Sequence, residues 1–280
     1  MRYKLPGIVP GIALLFALHF QVQAQTEKLW ETEPLLTTCE SVLYIAGEEM
    51  ILASCINGKA TEKDGNGFIA RLSKDGKIIK KQWADGLNAP KGMGILEGEL
   101  YVTDIDRVVR IDMKTGKLLD EYPVEGASFL NDVTVNPASG AVYISDMSTG
   151  KIHRLANGQV EEFGVTTNLS RPNGLCFTGG QLYIGTKDGI FRSDPETGES
   201  ELLIENTGSI DGLESLGEER FIISDWSGKV QIVAAEEAPM VLFDKSTEGI
   251  NAADIDYYSD DNLLLVPTFF RNSVAAYRVE

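Results

Sequence analysis

Short apolar-alternating strands recur along the sequence at intervals of about 40 residues, turn residues separate them, and a lone strand near the N-terminus matches a strand missing from the last repeat. No stretch of helical periodicity competes. These observations predict an all-β fold, a six-bladed β-propeller closed by the N-terminal strand, because radial packing of four-stranded units leaves only short, protected edges. The clearest unit is NDVTVNPASGAVYISDMSTGKIHR, Asn131 to Arg154. In it Val133–Val135 and Ala141–Ile144 flank the turn Asn136–Gly140, and a second turn, Asp146–Gly150, leads into Ile152–Leu155. Asn131 and Asp132 stand at the mouth of its first strand, where a polar side chain is expected only if it faces water or a ligand.

The first 24 residues are expected to lie outside that fold. Arg2 and Lys4 form a basic start, Ile8 to Phe20 is an apolar run, and Val22 and Ala24 occupy the −3 and −1 positions of a cleavage site before Gln25. At 13 residues the run is shorter than the roughly 20 that a membrane span needs. It reads as a signal peptide, against the alternative of an uncleaved anchor. Residues 25–280 then form one exported domain, periplasmic or secreted, with no membrane span after cleavage. No Cys follows the cleavage site, which argues against a lipoprotein. The formal charge is −17 and becomes −19 once the leader's two cations are removed. So acidic a surface, with no basic stripe, repels phosphate backbones and excludes nucleic acid as a partner. It accords with a soluble surface or with a cation site.

In chain order, Lys28–Thr32 alternates but has no partner nearby. The first unit follows as Glu40–Tyr44, Met50–Ser54, Phe68–Leu72 and Lys77–Lys81, the second as Gly92–Ile95, Leu100–Asp104, Val108–Asp112 and Leu118–Tyr122. After the Asn131 unit come Asn173–Phe177 with Leu182–Gly185, Asp211–Ser215 with Phe221–Asp225, and Asn251–Ile255 with Leu263–Val266. Markers at Glu40, Gly92, Asn131, Asn173, Asp211 and Asn251 are spaced by 52, 39, 42, 38 and 40 residues, and the polar insertion Asn57 to Asn66 accounts for the long first interval. Second strands end in Thr103-Asp104, Ser145-Asp146 and Ser224-Asp225. Third strands carry Arg71, Arg110, Arg154, Arg192 and Arg278 at matching places, with Ile232 the exception. The sixth unit stops at its third strand, Val274–Val279, so Lys28–Thr32 is expected to supply the fourth. The Gly-Lys pairs at 76, 116, 150 and 228 complete no G-x-x-x-x-G-K-[ST] motif and read as hairpin turns.

Nucleophilic and zinc chemistry find no residues to work with. His153 is the one histidine after the leader and lies mid-strand, where a structural role is expected. There is no G-x-S-x-G, no Cys paired with a His, and no close His/Cys spacing. Cys39 and Cys55 come together if their strands form a hairpin, either as a bridge permitted by export or as two small buried side chains. Cys176 reads as core. Oxygen chemistry remains. Glu40, Asn131-Asp132, Asn173, Asp211 and Asn251 open innermost strands, whose like ends meet at one mouth of a propeller channel. Carboxylates and amide carbonyls so gathered suit a hard cation such as Ca²⁺ or Mg²⁺, or else a ring solvated by channel water.

Four short motifs extend this reading: Glu40-Ser-Val-Leu-Tyr as an opening strand, Leu130-Asn131-Asp132, Pro172-Asn173-Gly174-Leu175, and Ile210-Asp211-Gly212. Through them the mature chain resembles the gluconolactonase, senescence-marker-protein and luciferin-regenerating-enzyme family of six-bladed propellers. The resemblance implies that Glu40, Asn173 and Asp211 hold one divalent cation, with Asn131 as a fourth ligand or a substrate contact. It breaks at Phe129, where the lactonases carry a substrate-holding arginine, at Val133, where N-D-G becomes Asn131-Asp132-Val133, and at Ser41-Val42, where the opening strand lacks its proline. The metal site therefore carries over better than sugar-lactone specificity.

The expectation is an exported hydrolase of a small-molecule lactone or related ester. Its cofactor is a divalent metal, Ca²⁺ first, with Mg²⁺, Mn²⁺ or Zn²⁺ as alternatives. Asp211, or else Asp132, would take the attacking water's proton. Asn131 and Lys91 would contact substrate, the alternative for Lys91 being a solvated lysine. The rival is a non-enzymatic, NHL-like propeller that binds a peptide, glycan or partner protein, in which Asn173-Gly174 and Asp211-Gly212 are turn-and-strand punctuation.

Overall fold

Six antiparallel four-stranded sheets form the ring. The structure, a computed structural model, describes Met1 and residues 26–280, so the expected signal segment lies outside the described residues. Strand β1 is Thr26–Glu31. Blade 1 comprises β2 (Cys39–Ile45), β3 (Met50–Cys55), β4 (Gly67–Ser73) and β5 (Ile78–Leu87). Blade 2 comprises β6 (Pro90–Leu96), β7 (Glu99–Asp104), β8 (Arg107–Asp112) and β9 (Leu118–Pro123), and blade 3 β10 (Leu130–Asn136), β11 (Ala141–Asp146), β12 (Lys151–Ala156) and β13 (Gln159–Phe163). Blade 4 has β14 (Leu175–Thr178), β15 (Gln181–Gly185), β16 (Gly189–Ser193) and β17 (Ser200–Glu205). Blade 5 has β18 (Leu213–Gly217), β19 (Arg220–Asp225), β20 (Lys229–Ala234) and β21 (Met240–Asp244). Blade 6 runs β22 (Asp256–Tyr258), β23 (Leu263–Pro267), β24 (Val274–Val279) and finally β1. The first strands of adjacent blades touch around the ring and line the channel. Among the described residues no helix is long and apolar enough to cross a membrane.

The closure expected from the leftover strand is present: Thr26 pairs with Val279 and Glu31 with Ala275, with a bulge between Lys28 and Trp30. Thr32 continues the contact, its N–H donating to the Val274 carbonyl at 2.9 Å. Burial follows position in the blade. Both faces of a second strand are covered by neighbouring blades, so β3 and β11 are buried at every residue, whereas β9 is largely exposed. The cores lie between blades, as where Val42, Ile51 and Phe68 meet Leu263, Leu265 and Ala276.

Small polar residues at the ends of second strands staple one blade to the next. The Thr103 hydroxyl donates to the Asn131 carbonyl, and Ser224 Oγ donates to the Ala253 carbonyl at 2.7 Å while accepting the Gly212 N–H at 2.7 Å. Four of the five recurrent third-strand arginines face carboxylates on the fourth strand of the same blade: Arg110 with Asp120, Arg154 with Glu161, Arg192 with Glu201, and Arg278 with Glu27 at the closure, whereas Arg71 meets Glu48 in the turn after β2. These pairs are largely exposed, so each adds little stability.

The glycines after Asn173 and Asp211 are not turn residues. A Cβ on Gly174 would lie 2.6 Å from the Asp211 carbonyl oxygen, one on Gly212 would lie 2.4 Å from the Ile255 nitrogen, and one on Gly92 would lie 2.5 Å from Asp132 Cα. Adjacent innermost strands approach too closely for a side chain there. At these positions the glycine serves strand packing and not a turn. The four Gly-Lys glycines, by contrast, do have positive φ. Because the obstacle at Gly212 is backbone, Gly212→Ala is expected to cost about 1–3 kcal/mol by overpacking, read as a lowered midpoint in urea with an unchanged m-value.

Candidate metal and substrate site

One cavity of about 690 Å³ opens at the channel mouth and is lined by Glu40, Lys91, Asn131, Asn173 and Asp211 together. Glu40 and Asn131 lie within β2 and β10, whereas Asn173 and Asp211 precede β14 and β18 by two residues, in extended backbone tied to the second strand of their own blade. The Asn173 N–H donates to the Gly185 carbonyl at 2.9 Å, and the Asp211 N–H to the Ser224 carbonyl at 2.8 Å. The expected convergence of these four side chains on one mouth is therefore present.

Three of their oxygens are left without donors. Glu40 Oε2, Asn131 Oδ1 and Asn173 Oδ1 are buried and accept no hydrogen bond. Asn173 Nδ2 donates to Asp211 Oδ1 at 2.8 Å, which turns the amide nitrogen to the carboxylate and leaves the amide oxygen as the orphan. Burial pushes the Asp211 carboxyl up to about 7, against the lowering effect of that bond. Glu40 is raised well above the usual carboxylate range, first by burial and then by the negative charge of Asp211, while Lys91 pulls it down. Buried acceptors lacking donors cost stability unless something positive meets them. Among the described residues no group of three or more His, Cys, Asp or Glu is arranged as a metal site. The set here holds only two carboxylates, its other two oxygens being amide carbonyls, which are ordinary ligands for Ca²⁺. Donor chemistry and orphaned oxygens both fit a hard cation.

Asp132 and Lys91 sit differently from expectation. Asp132 lines the channel beneath, with Glu214, Asp254 and Asp256, and does not border the upper cavity. Its Oδ1 accepts the Val133 N–H and its Oδ2 the Leu175 N–H, both at 2.6 Å, so its carboxylate ties blade 3 to blade 4. Lys91 is 1 % exposed, which corrects the solvated reading. Its Nζ donates to the carbonyls of Ala89 at 3.1 Å and Ala60 at 3.2 Å, and lies 4.7 Å from the centre of the Phe129 ring. Burial lowers its pKa, against the attraction of Glu40 and Asp104. The Lys91 ammonium thus stands over the Phe129 ring. Asn251 is half-buried and donates to the Trp226 carbonyl at 2.8 Å.

His153 is buried in β12, consistent with a structural place, and the Cys39 and Cys55 thiols are free, buried and directly paired in register across β2 and β3. Part of the cavity wall carries no motif in the sequence: Ile56, Met147 and Trp226, with Arg171, Phe269 and Phe270. A signal existed for the first three. Each directly follows the end of its blade's second strand, at Cys55, Asp146 and Asp225, so aligned repeats place them on one face.

A family model described as outer membrane protein assembly factor BamB matches residues 20–201, well over half of the chain. The chain belongs to that family. No curated protein gives a significant sequence match. Solved structures do match the fold. A gluconolactonase from Xanthomonas campestris is 15 % identical over 92 % of this chain and 90 % of its own, with a TM-score of 0.64. A second structure, called a gluconolactonase by family, is 17 % identical over 93 % of this chain and 94 % of its own, with a TM-score of 0.65. A structure of the nidogen/laminin complex matches 71 % of this chain and 77 % of that one at 18 % identity, with a TM-score of 0.59. At these identities the likeness is one of fold.

Proposed function

We propose that the cavity hydrolyses a lactone or related ester of a small molecule with the aid of one divalent cation, Ca²⁺ first. The observation carrying this reading is the group of three donorless buried oxygens, on Glu40, Asn131 and Asn173, beside the Asp211 carboxylate. Those four residues would hold the ion. When bound, it would supply Lewis acidity towards the substrate carbonyl and lower the pKa of water. Asp211 spends Oδ1 on the Asn173 amide and keeps Oδ2 to accept the attacking water's proton. Asn131 positions substrate beside Glu40. Asp132, its oxygens already occupied by backbone N–H groups, is left out of the chemistry. Lys91 adds fixed positive charge near Glu40. The gluconolactonase structures sharing the fold support the reaction class, and export to the periplasm or beyond is part of the same proposal.

The test is a panel of lactones and esters with and without Ca²⁺, Mg²⁺, Mn²⁺ or Zn²⁺. Turnover that appears with metal and vanishes with chelator supports the reading. If no member is turned over with any ion, a non-enzymatic binding propeller takes its place. That second reading is favoured by aromatic side chains exposed at the cavity mouth and accords with membership of an assembly-factor family.

Ion binding should also show in stability. In chelator, Asp211 titrates near 7, above an unfolded value of about 3.9, so its contribution is complete below pH 4 and is lost as pH rises through 7. Burial shifts Glu40, Asp132, Glu214, Asp254 and Asp256 in the same direction. Ca²⁺ needs the ionised ligands, so its effect has the opposite slope. At 100 times its Kd it is expected to add about 2.7 kcal/mol, or about 5–10 °C in Tm. Melting curves should give a larger Ca²⁺-induced rise at pH 8 than at pH 5.5. An equal rise at both would count against carboxylate ligation.

A further inference from the structure

Part of the cavity wall is aromatic, exposed and held in place. Trp226 meets Phe269 edge-on at 5.5 Å and Phe270 at 5.8 Å, and the two phenyl rings meet each other at 4.8 Å. All three line the cavity of the orphaned oxygens. Trp226 is 45 % and Phe270 65 % exposed. The other exposed large hydrophobics are, apart from Met1 and Leu35, aliphatic residues on outermost strands, namely Leu29, Ile79, Leu119, Leu202 and Val241. An aromatic cluster at the mouth stands apart from that background.

The local backbone is constrained to present these rings. Phe269 has φ +48°, a conformation costly for a bulky side chain. It is kept there by the turn around it. The Thr268 N–H donates to the Ser273 carbonyl at 2.9 Å, the Ser273 N–H donates to Thr268 Oγ1 at 3.2 Å, and the Arg271 N–H donates to the Thr268 carbonyl at 3.1 Å. Asn272 Oδ1 ties the turn to the Thr38 N–H at 2.8 Å. Asn251 fixes the backbone of Trp226. Phe269 packs one side against the small core of Ile56, Ala89 and Ile105, while the Phe270 ring beside it is exposed over the cavity, where it adds to no core and points to a ligand.

We propose that this aromatic wall receives the apolar substituent of the substrate, so that the chain acts on alkyl- or aryl-substituted lactones or esters in preference to polyhydroxylated ones. The proposal rests on the hydrolytic reading of the cavity. In the reaction water adds across the acyl C–O bond: a new C–O bond forms to water oxygen, the ring or ester C–O bond breaks, and one water proton ends on the leaving alkoxide. A polyol would place several hydroxyls against rings that offer no partner. Phe129 occupies the arginine position, and the Lys91 ammonium is already bonded to two carbonyls. A cavity of about 690 Å³ is in the range that encloses ligands larger than a bare lactone ring.

The test measures kcat/KM on γ-butyrolactones with side chains from methyl to octyl, alongside δ-gluconolactone, with Ca²⁺ present. The expected result is a rise of up to about fourfold per methylene lying on the wall, with δ-gluconolactone the poorest substrate. Phe270→Ala and Trp226→Ala should each lower the octyl-to-methyl ratio about tenfold, at unchanged Tm for the exposed Phe270. Binding is read separately with the non-hydrolysable γ-octyl-butyrolactam by quenching of Trp226 fluorescence, which should be absent in Trp226→Phe and about tenfold weaker in Phe270→Ala. Turnover that is flat with chain length, or best with δ-gluconolactone, overturns the apolar wall and leaves the hydrolase standing. Saturable lactam binding with no turnover of any lactone supports the wall and overturns the hydrolase. Neither turnover nor saturable binding overturns both.

Discussion

Asp211→Asn is expected to lower metal-dependent turnover of the best lactone or ester by about 10²–10⁴-fold, while the protein in chelator melts no lower than wild type. The two halves of this result have different causes. An asparagine can still accept the Asn173 amide through Oδ1, so local geometry is kept. It carries no negative charge for the cation and cannot take a proton from water. In the ion-free protein that charge is a burden, because Asp211 is buried close enough to Glu40 to raise its carboxyl. Removing it at pH 8 should raise Tm in chelator by about 2–4 °C, the response to roughly 1 kcal/mol in a domain of this size. Glu40→Gln should behave alike. Activity retained by both variants, or a large fall in Tm with each, would assign the pair to structure and not to chemistry.

Removing β1 should have the largest effect on folding. Deleting residues 26–31 exposes the edge of β24, uncovers the sixth blade and opens the ring. Glu31 also accepts Arg271 Nε at 2.8 Å and Ser273 Oγ at 2.6 Å, so the turn bearing Phe269 and Phe270 loses support as well. The expected outcome is loss of a cooperative melt, together with aggregation on size-exclusion chromatography. A milder variant isolates the packing. Trp30 lies where Gly76 has no side chain, a Cβ there falling 2.5 Å from its ring, so it pins the closing strand to blade 1. Trp30→Ala should cost about 2–3 kcal/mol, less than the 3–5 of a fully buried ring because Trp30 is half-buried. A truncated chain that still melts cooperatively near the wild-type temperature would show that closure matters little.

The ring was legible because its causes are local and periodic. Each unit repeats a strand pattern of period two with fixed turns, and only six copies with one strand displaced to the N-terminus use every segment. The convergence of Glu40, Asn131, Asn173 and Asp211 followed from symmetry, since equivalent strand positions must meet at one mouth. Side-chain direction was less legible. Asn131 and Asp132 are neighbours on β10, yet Asn131 borders the upper cavity and Asp132 the channel beneath, and the register shifts between Leu130 and Val133, so simple alternation does not set where the two side chains go. The burial of Lys91 depends on Ala60, a residue of the blade 1 insertion whose path no repeat specifies. Phe269 and Phe270 were hidden for a similar reason. They lie in a turn peculiar to blade 6, and their placement depends on hydrogen bonds between Thr268 and Ser273 and between Asn272 and Thr38 that no pattern announces.

Whether one cation joins Glu40, Asn131, Asn173 and Asp211 is read from anomalous diffraction by crystals soaked in Ca²⁺ or Mn²⁺, with chelator-washed crystals as reference. One peak is expected in the upper cavity, within about 2.3–2.6 Å of oxygens of Glu40, Asn131, Asn173 and Asp211 when the ion is Ca²⁺. A cavity without a peak at millimolar metal, with ordered water donating to Glu40 Oε2, Asn131 Oδ1 and Asn173 Oδ1 instead, would contradict a shared ion.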